Sequence, residues 1–199
     1  MSVNANNTFE GVYILKGVFS PLDLQGAMED GSTDTDVITD NPDISSLFAN
    51  PRVRNAVETI AGANLPLFQV CNETCIPNED KRAWTVGLPY AKCNSNNQYK
   101  QQVNGVRAIV PLSSFTIENG ATMWVPNSHL SRFFPTNERL LKGSFADADD
   151  EVRVFPCKKK ILTCDIGDVI IFPANVWHSR GLNTTASPRK AIVADFVRK

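Results

Sequence analysis

From residue 65 onward the sequence is cut into short, β-rich apolar runs separated by turn residues, and this limits the possible folds more than any other feature. The runs occupy residues 65–76, 105–112, 121–126, 152–155, 161–164, 169–172 and 191–196. Between them stand Pro77-Asn78-Glu79-Asp80, Asn119-Gly120, Lys158-Lys159-Lys160 and the acidic turn Asp165-Ile166-Gly167-Asp168. Short strands punctuated in this way assemble into an antiparallel sandwich or barrel. Ahead of them lies a section with helical signals. Ser20 is a good N-cap with Pro21 at the first helical position, which predicts a helix over 21–29. Residues 43–48 and 51–61 show helical periodicity, with Val53, Val57 and Ile60 on one face and closure at Gly62. Residues 11–19 read as a β segment, and 30–43 as a polar surface loop. The expected architecture is therefore mainly β, with the helices of residues 21–62 packed outside a β section at 65–199. At 199 residues the chain fits one domain spanning 1–199, with the asparagine-rich residues 1–8 frayed.

Charge and cysteine usage exclude some classes of function. A formal net charge of -1 argues against a nucleic-acid or anionic-membrane surface. No apolar run approaches the length of a membrane span, and the N-terminus lacks the apolar region of a signal peptide. Five cysteines form an odd count without framework spacing, which suits a reducing, cytoplasmic setting. Cys71 and Cys75 share a strand face but stand roughly 13 Å apart, too far to hold one ion.

The chemistry concentrates in the last quarter. Val169-Ile170-Ile171-Phe172 leads through a Pro-Ala-Asn turn to Trp177-His178, and Pro188-Arg189 opens the final apolar run. Read as a hairpin, these two strands set His178 and Arg189 near each other. Histidine ligates metals, and arginine clamps a carboxylate with two parallel hydrogen bonds. Plainer readings stand beside these. His178 is equally a buried histidine satisfied by a backbone carbonyl, and Arg189 equally pairs with a structural acid such as Asp195. Trp84, Trp124 and Trp177 read as core, Asn119 and Asn183 as turn residues, and Lys92 as a solvated lysine.

The Gly-Asp before the strand, the Trp-His, Asn183 five residues on and Arg189 eleven residues past the histidine resemble the phytanoyl-CoA dioxygenase-like family of Fe(II)- and 2-oxoglutarate-dependent oxygenases. The stretch IVPLSSFTIENGATMWVPNSHL carries the same resemblance, with Pro126-Asn127-Ser128-His129 where the family usually has Pro-Gly-Ser-His. The resemblance implies a double-stranded β-helix (a jelly roll, cupin-like). It makes His178 the distal iron ligand, and it makes Arg189, with Ser179 and Asn183 beside it, the holder of 2-oxoglutarate. The family's other two iron ligands form a His-x-Asp motif before a Pro-Tyr. Anchored on Pro89-Tyr90, those positions here are Thr85 and Gly87, so His178 is the surviving metal-ligand position.

Three functions follow. The first is a degenerate oxygenase fold kept as a binding, partner or structural module, its partner a protein, a second copy or a small carboxylate. The second is an active oxygenase with displaced ligands, for which Glu73, Asp80, Cys71 and Cys75 lie near in sequence. The third is metal-free acid–base chemistry, such as an isomerisation, on His178. On the first, no cofactor binds tightly; on the second, Fe(II) and 2-oxoglutarate do.

Overall fold

A computed structural model describes residues 10–29, 37–79, 84–87, 103–130 and 159–198. Residues 1–8, expected to fray, residues 30–36 of the expected loop, Asp80, Pro89-Tyr90, Lys92, residues 131–150 and the strand expected at 152–155 lie outside the described residues.

The elements are β1 Tyr13–Leu15, α1 Gln25–Glu29, α2 Pro42–Leu47, α3 Pro51–Ala61, β2 Leu67–Cys75, β3 Gly105–Pro111, β4 Met123–Trp124, β5 Lys160–Ile161, β6 Val169–Pro173, β7 His178–Ser179 and β8 Arg189–Val197. A five-stranded sheet has the order β1-β6-β3-β8-β2, and a three-stranded sheet the order β5-β4-β7. Every pairing between these strands is antiparallel. This is the expected double-stranded β-helix, mainly β, with the helices outside. Among the described residues no helix is long and apolar enough to cross a membrane.

The helices start where side chains satisfy their first amides. Asn41 accepts from the amides of Asp43 and Ile44 ahead of Pro42, and Asn50 accepts from Arg52 ahead of Pro51. Gly62 closes α3 in the left-handed region, at φ 63°. The first helix begins later than Ser20-Pro21 suggests. Ser20 and Asp23 do cap each other reciprocally, but the amides of Asp23, Leu24 and Gln25 each bond the carbonyl three residues back. That tight first turn gives way to α-helix only at Gln25.

Strand alternation divides the interior into two cores. Val106, Ala108 and Val110 of β3, Val169 and Ile171 of β6, and Ile192, Ala194 and Phe196 of β8 pack with the helices. Ile109, Ile170, Phe172, Ala191 and Val193 point the other way and pack with Trp124, Phe115, Leu162 and Val176 between the sheets. Buried on both faces, β3, β6 and β8 read as unbroken apolar runs, which is why their periodicity is weak and their composition strong. The inner face of the same strands also carries Arg107 and Asp195, directly opposite each other in the β3–β8 register. Trp84, Trp124 and Trp177 are buried, as expected of core residues.

The C-terminal quarter departs from the expected hairpin. β7 pairs with β4, and β8 pairs with β2 and β3, so the connection from His178 to Arg189 crosses from one sheet to the other. Asn183 organises that crossing. Its amide nitrogen donates to the carbonyls of Cys75 (2.9 Å) and Ser187 (2.8 Å), and its oxygen accepts from the backbone and hydroxyl of Thr185.

Asn127 occupies the left-handed region (φ 63°), where asparagine substitutes for glycine at least strain. Gly167 is more constrained. At φ 89° its carbonyl accepts from the amides of Val18 (2.7 Å) and Phe19 (3.0 Å), and a β-carbon there would collide with the carbonyl oxygen of Phe19. Gly167→Ala is therefore expected to lower stability by about 2–3 kcal/mol, combining left-handed strain with displacement of β1's exit. Urea unfolding followed by tryptophan fluorescence measures it, and a change under about 0.5 kcal/mol would contradict the close approach.

Candidate functional site

Residues 84–87 run alongside β7. The amide of Thr85 donates to the carbonyl of His178 (2.9 Å), the amide of His178 donates back to Thr85 (3.0 Å), and Gly87 donates to Ala174 (2.6 Å). Directly opposed residues of such a pair share a face about 5.5 Å apart. The three positions to which the resemblance assigns iron ligands are thus on adjacent segments: Thr85, exposed, and Gly87, buried, on one, and His178 on its neighbour.

What fills the space between Gly87 and His178 is a side chain that sequence reasoning overlooked. Arg107, from the middle of β3, extends its guanidinium to the histidine, with Nη1 3.3 Å from Nε2 of His178. The same group forks onto Asp195, Nε to Oδ1 at 2.8 Å and Nη2 to Oδ2 at 3.0 Å. A β-carbon at residue 87 would lie 3.2 Å from Nε and 3.4 Å from Cζ of Arg107. Glycine at 87 gives the guanidinium its room.

His178 is buried against Phe172, with ring centroids 5.1 Å apart. Its Nδ1 lies 2.8 Å from the carbonyl of Val176, which can only accept, so Nδ1 carries the proton and Nε2 presents its lone pair to Arg107. Burial, followed by the neighbouring guanidinium, pushes the imidazole down to about 4. The plainer reading of this residue, a buried histidine satisfied by a backbone carbonyl, describes its Nδ1.

Arg189 is fully buried and also paired, but not with Asp195. Its Nη2 donates to Oε1 of Glu73 (2.9 Å), and its guanidinium stacks 4.1 Å over the Phe115 ring. Its Nε and Nη1 meet no hydrogen-bond acceptor among the described residues. Arg180 adds a second cation 3.7 Å from Glu73. Burial alone would raise the Glu73 carboxyl, but Arg189 and then Arg180 hold it below the ordinary range. The residues expected beside Arg189 are committed elsewhere. Asn183 spends its amide on the crossing loop, and the Ser179 hydroxyl donates to the carbonyl of Arg180 (3.2 Å). A groove of about 580 Å³ between the β1–α1 turn and α2 is lined by Phe19, Ala27 and Leu47 of the helix-side core, away from this chemistry.

Two interior charge pairs therefore define the site: Arg107–Asp195 with His178 attached, and Arg189–Glu73 with Arg180 nearby. These residues do not fit a divalent ion. An ion on His178 needs the Nε2 lone pair that faces Arg107, position 87 has no side chain to contribute, and Thr85 offers only a neutral hydroxyl. Among the described residues, the interior carboxylates beside this point, Asp195 and Glu73, are already held by guanidinium groups.

Two antiparallel sheets in a double-stranded β-helix, with residues 84–87 paired beside His178, make the fold of the iron- and 2-oxoglutarate-dependent oxygenase class. Residues 24–191 match the family Phytanoyl-CoA dioxygenase (PhyH), and the chain belongs to that family. Protein Rv1501 of Mycobacterium tuberculosis and protein Mb1539 of Mycobacterium bovis are each 30% identical over 100 residues. That stretch covers 50% of this chain but only 30% of theirs. Among solved structures, EctD from S. alaskensis with bound Fe superposes at a TM-score of 0.74 with 15% identity, over 96% of this chain and 73% of EctD. HygX from Streptomyces hygroscopicus, with nickel and 2-oxoglutarate bound, gives 0.72 and 18% over 96% and 83%. The epimerase SnoN, in complex with Fe3+, alpha ketoglutarate and nogalamycin RO, gives 0.71 and 19% over 96% and 80%. At these identities the likeness is one of fold.

The Arg107–Asp195 fork has a measurable energetic signature. Removing one partner leaves the other charge buried and unpaired, so Arg107→Leu or Asp195→Leu alone should destabilise by about 3–5 kcal/mol. The double replacement should recover most of that loss, because two apolar side chains leave no charge behind. A denaturation double-mutant cycle tests this, and additive losses would contradict it.

His178 gives a second. The folded imidazole stays neutral down to about pH 4, while the unfolded one titrates near 6.5. Between those values the unfolded chain binds more protons. Stability held above pH 6.5 is therefore lost as the pH falls towards 4, by about 3 kcal/mol in total. Burial lowers His129 in the same direction, and Glu73 adds a further loss below about pH 4.5. Urea midpoints measured from pH 7.5 to 4.5 should fall accordingly. His178→Asn should flatten the slope, and an unchanged slope would refute the assignment.

Proposed function

We propose that this chain is a non-oxygenase member of the phytanoyl-CoA dioxygenase family, a metal-free binding, partner or structural module on the oxygenase fold. The observation that carries the reading is the Nε2 lone pair of His178 facing Arg107 at 3.3 Å, with Thr85 and Gly87 at the other two ligand positions. A 2-histidine-1-carboxylate face with open positions is what non-haem Fe(II) chemistry requires, and only one member of that set is present.

The displaced-ligand alternative depends on a free interior carboxylate. Of the candidates that the structure describes, Glu73 is engaged by Arg189 and Arg180, the Cys75 thiol points at the Gly181 carbonyl (3.7 Å), and burial raises the Cys71 thiol, against the thiolate that a metal needs. The acid–base alternative depends on His178 exchanging protons near neutrality. Burial and an adjoining guanidinium hold it well below that range, where its fraction protonated is small. The ligand of the module is then a partner protein, a second copy of the chain, or a small carboxylate competing with Glu73 for Arg189.

The direct test is incubation of purified protein with Fe(II) and 2-oxoglutarate, with metal analysis under nitrogen and succinate measured on admitting oxygen. Wild type should retain no stoichiometric iron and form succinate at the rate of a His178→Ala control. Iron-dependent succinate formation in wild type, abolished in His178→Ala, would establish the displaced-ligand oxygenase instead.

A further inference from the structure

His178 and residue 87 converge on one point of the interior, and a cation of the chain's own already stands there. The imidazole of His178 directs a lone pair at it, fixed in that tautomer by the Val176 carbonyl at 2.8 Å. Residue 87 would direct a β-carbon at it, to within 3.2 Å of Arg107 Nε. Thr85 pairs with His178 on the ladder, at the exposed edge of this arrangement. The guanidinium at that point is anchored by two bonds to Asp195, which β8 supplies from directly across the ladder. From these contacts we infer that Arg107 is a built-in cation serving the structural part of a metal ion: it satisfies His178, is neutralised by an interior carboxylate, and ties three segments of the barrel together.

This deepens the metal-free reading on which it rests, and it makes a claim that the missing ligands alone do not. If the absence of ligands were the whole obstacle, restoring them would restore a metal site. With Arg107 in place it should not. An aspartate at residue 87 would meet the guanidinium at once and pair with it, and His178 would still spend its lone pair on Nη1. The permanent positive charge of arginine gives no pH at which the site opens.

The experiment compares three variants by Co(II) titration, reading the visible d–d absorption and the heat of binding. Thr85→His/Gly87→Asp should show no stoichiometric Co(II) binding. Adding Arg107→Gln, which removes the charge but keeps an amide to bond Asp195, should produce one site per chain and at least a 100-fold gain in affinity. Adding Arg107→Lys instead keeps a cation near the same point and should bind like the double variant. Near-UV circular dichroism checks that each folds. If the Arg107→Gln series is too unstable, the same comparison in an Asp195→Asn background replaces the unpaired buried charge by an amide pair. Stoichiometric Co(II) binding by the double variant, equal binding by the Gln and Lys series, or no binding by the folded Gln series would each overturn the inference. These outcomes are separate from the wild-type succinate assay, which tests the functional reading itself.

Discussion

The interior of this protein depends on the fork between Arg107 and Asp195. β3 and β8 are neighbours near the centre of the larger sheet, and both of their faces are covered. A charge on the inner face of either strand has little access to water. The Arg107 side chain is 17% exposed and that of Asp195 only 1%, so each charge is tolerable only because the other is opposite it. Several local features then follow. A side chain at residue 87 would press on the guanidinium and require it to give way. The imidazole of His178 is confined to one tautomer because one nitrogen faces a carbonyl and the other a donor. Burial and the adjacent cation together keep it neutral.

Much of the architecture was legible in the sequence because strand composition and cap chemistry are local properties. Asn41-Pro42, Asn50-Pro51 and Gly62 mark helix ends through the backbone groups they satisfy, and the short Val/Ile/Phe runs mark strands. Sheet partition is not local. The hairpin expected between His178 and Arg189 became a crossing between sheets, directed by an asparagine whose partners, Cys75 and Ser187, no periodicity reveals. The pairing expected between Arg189 and Asp195 was excluded by geometry available from the start. Six residues apart on one extended strand, they stand about 20 Å from each other. Arg107 also left a usable signal, a lone charge in the apolar run GVRAIVPL. Such a residue implies an opposite charge on a facing strand, and Asp195 in AIVADFV is the matching case.

Likeness of fold at 15–19% identity has a simple physical basis here. Strand alternation sends successive residues of β3, β6 and β8 to two separate compartments. The helix-side compartment is built mainly of apolar side chains and holds the helices against the sheet. The inner compartment holds the charge pairs together with the aromatic lining of Phe115, Phe172 and Trp124. Substitutions in one need not disturb packing in the other, so the architecture can persist under divergent sequences, and membership of the family does not by itself carry a reaction.

Buried ion pairs are weak stabilisers compared with apolar residues of the same volume, because desolvation offsets most of their attraction. Their presence therefore calls for an explanation other than stability. The pairs here explain themselves through coupling. Replacing Arg107 alone strands Asp195, replacing Asp195 alone strands Arg107, and placing a side chain at residue 87 while Arg107 remains crowds the guanidinium. Glu73 and Arg189 form a second unit of the same kind, with Arg180 as an additional cation. Each single step away from the present arrangement leaves a buried charge unpaired or a contact too close, whereas coordinated steps do not. A site filled by its own charged side chains is in this sense locked, and the lock lies in the interdependence of Arg107, Asp195, Gly87 and His178 rather than in any one of them.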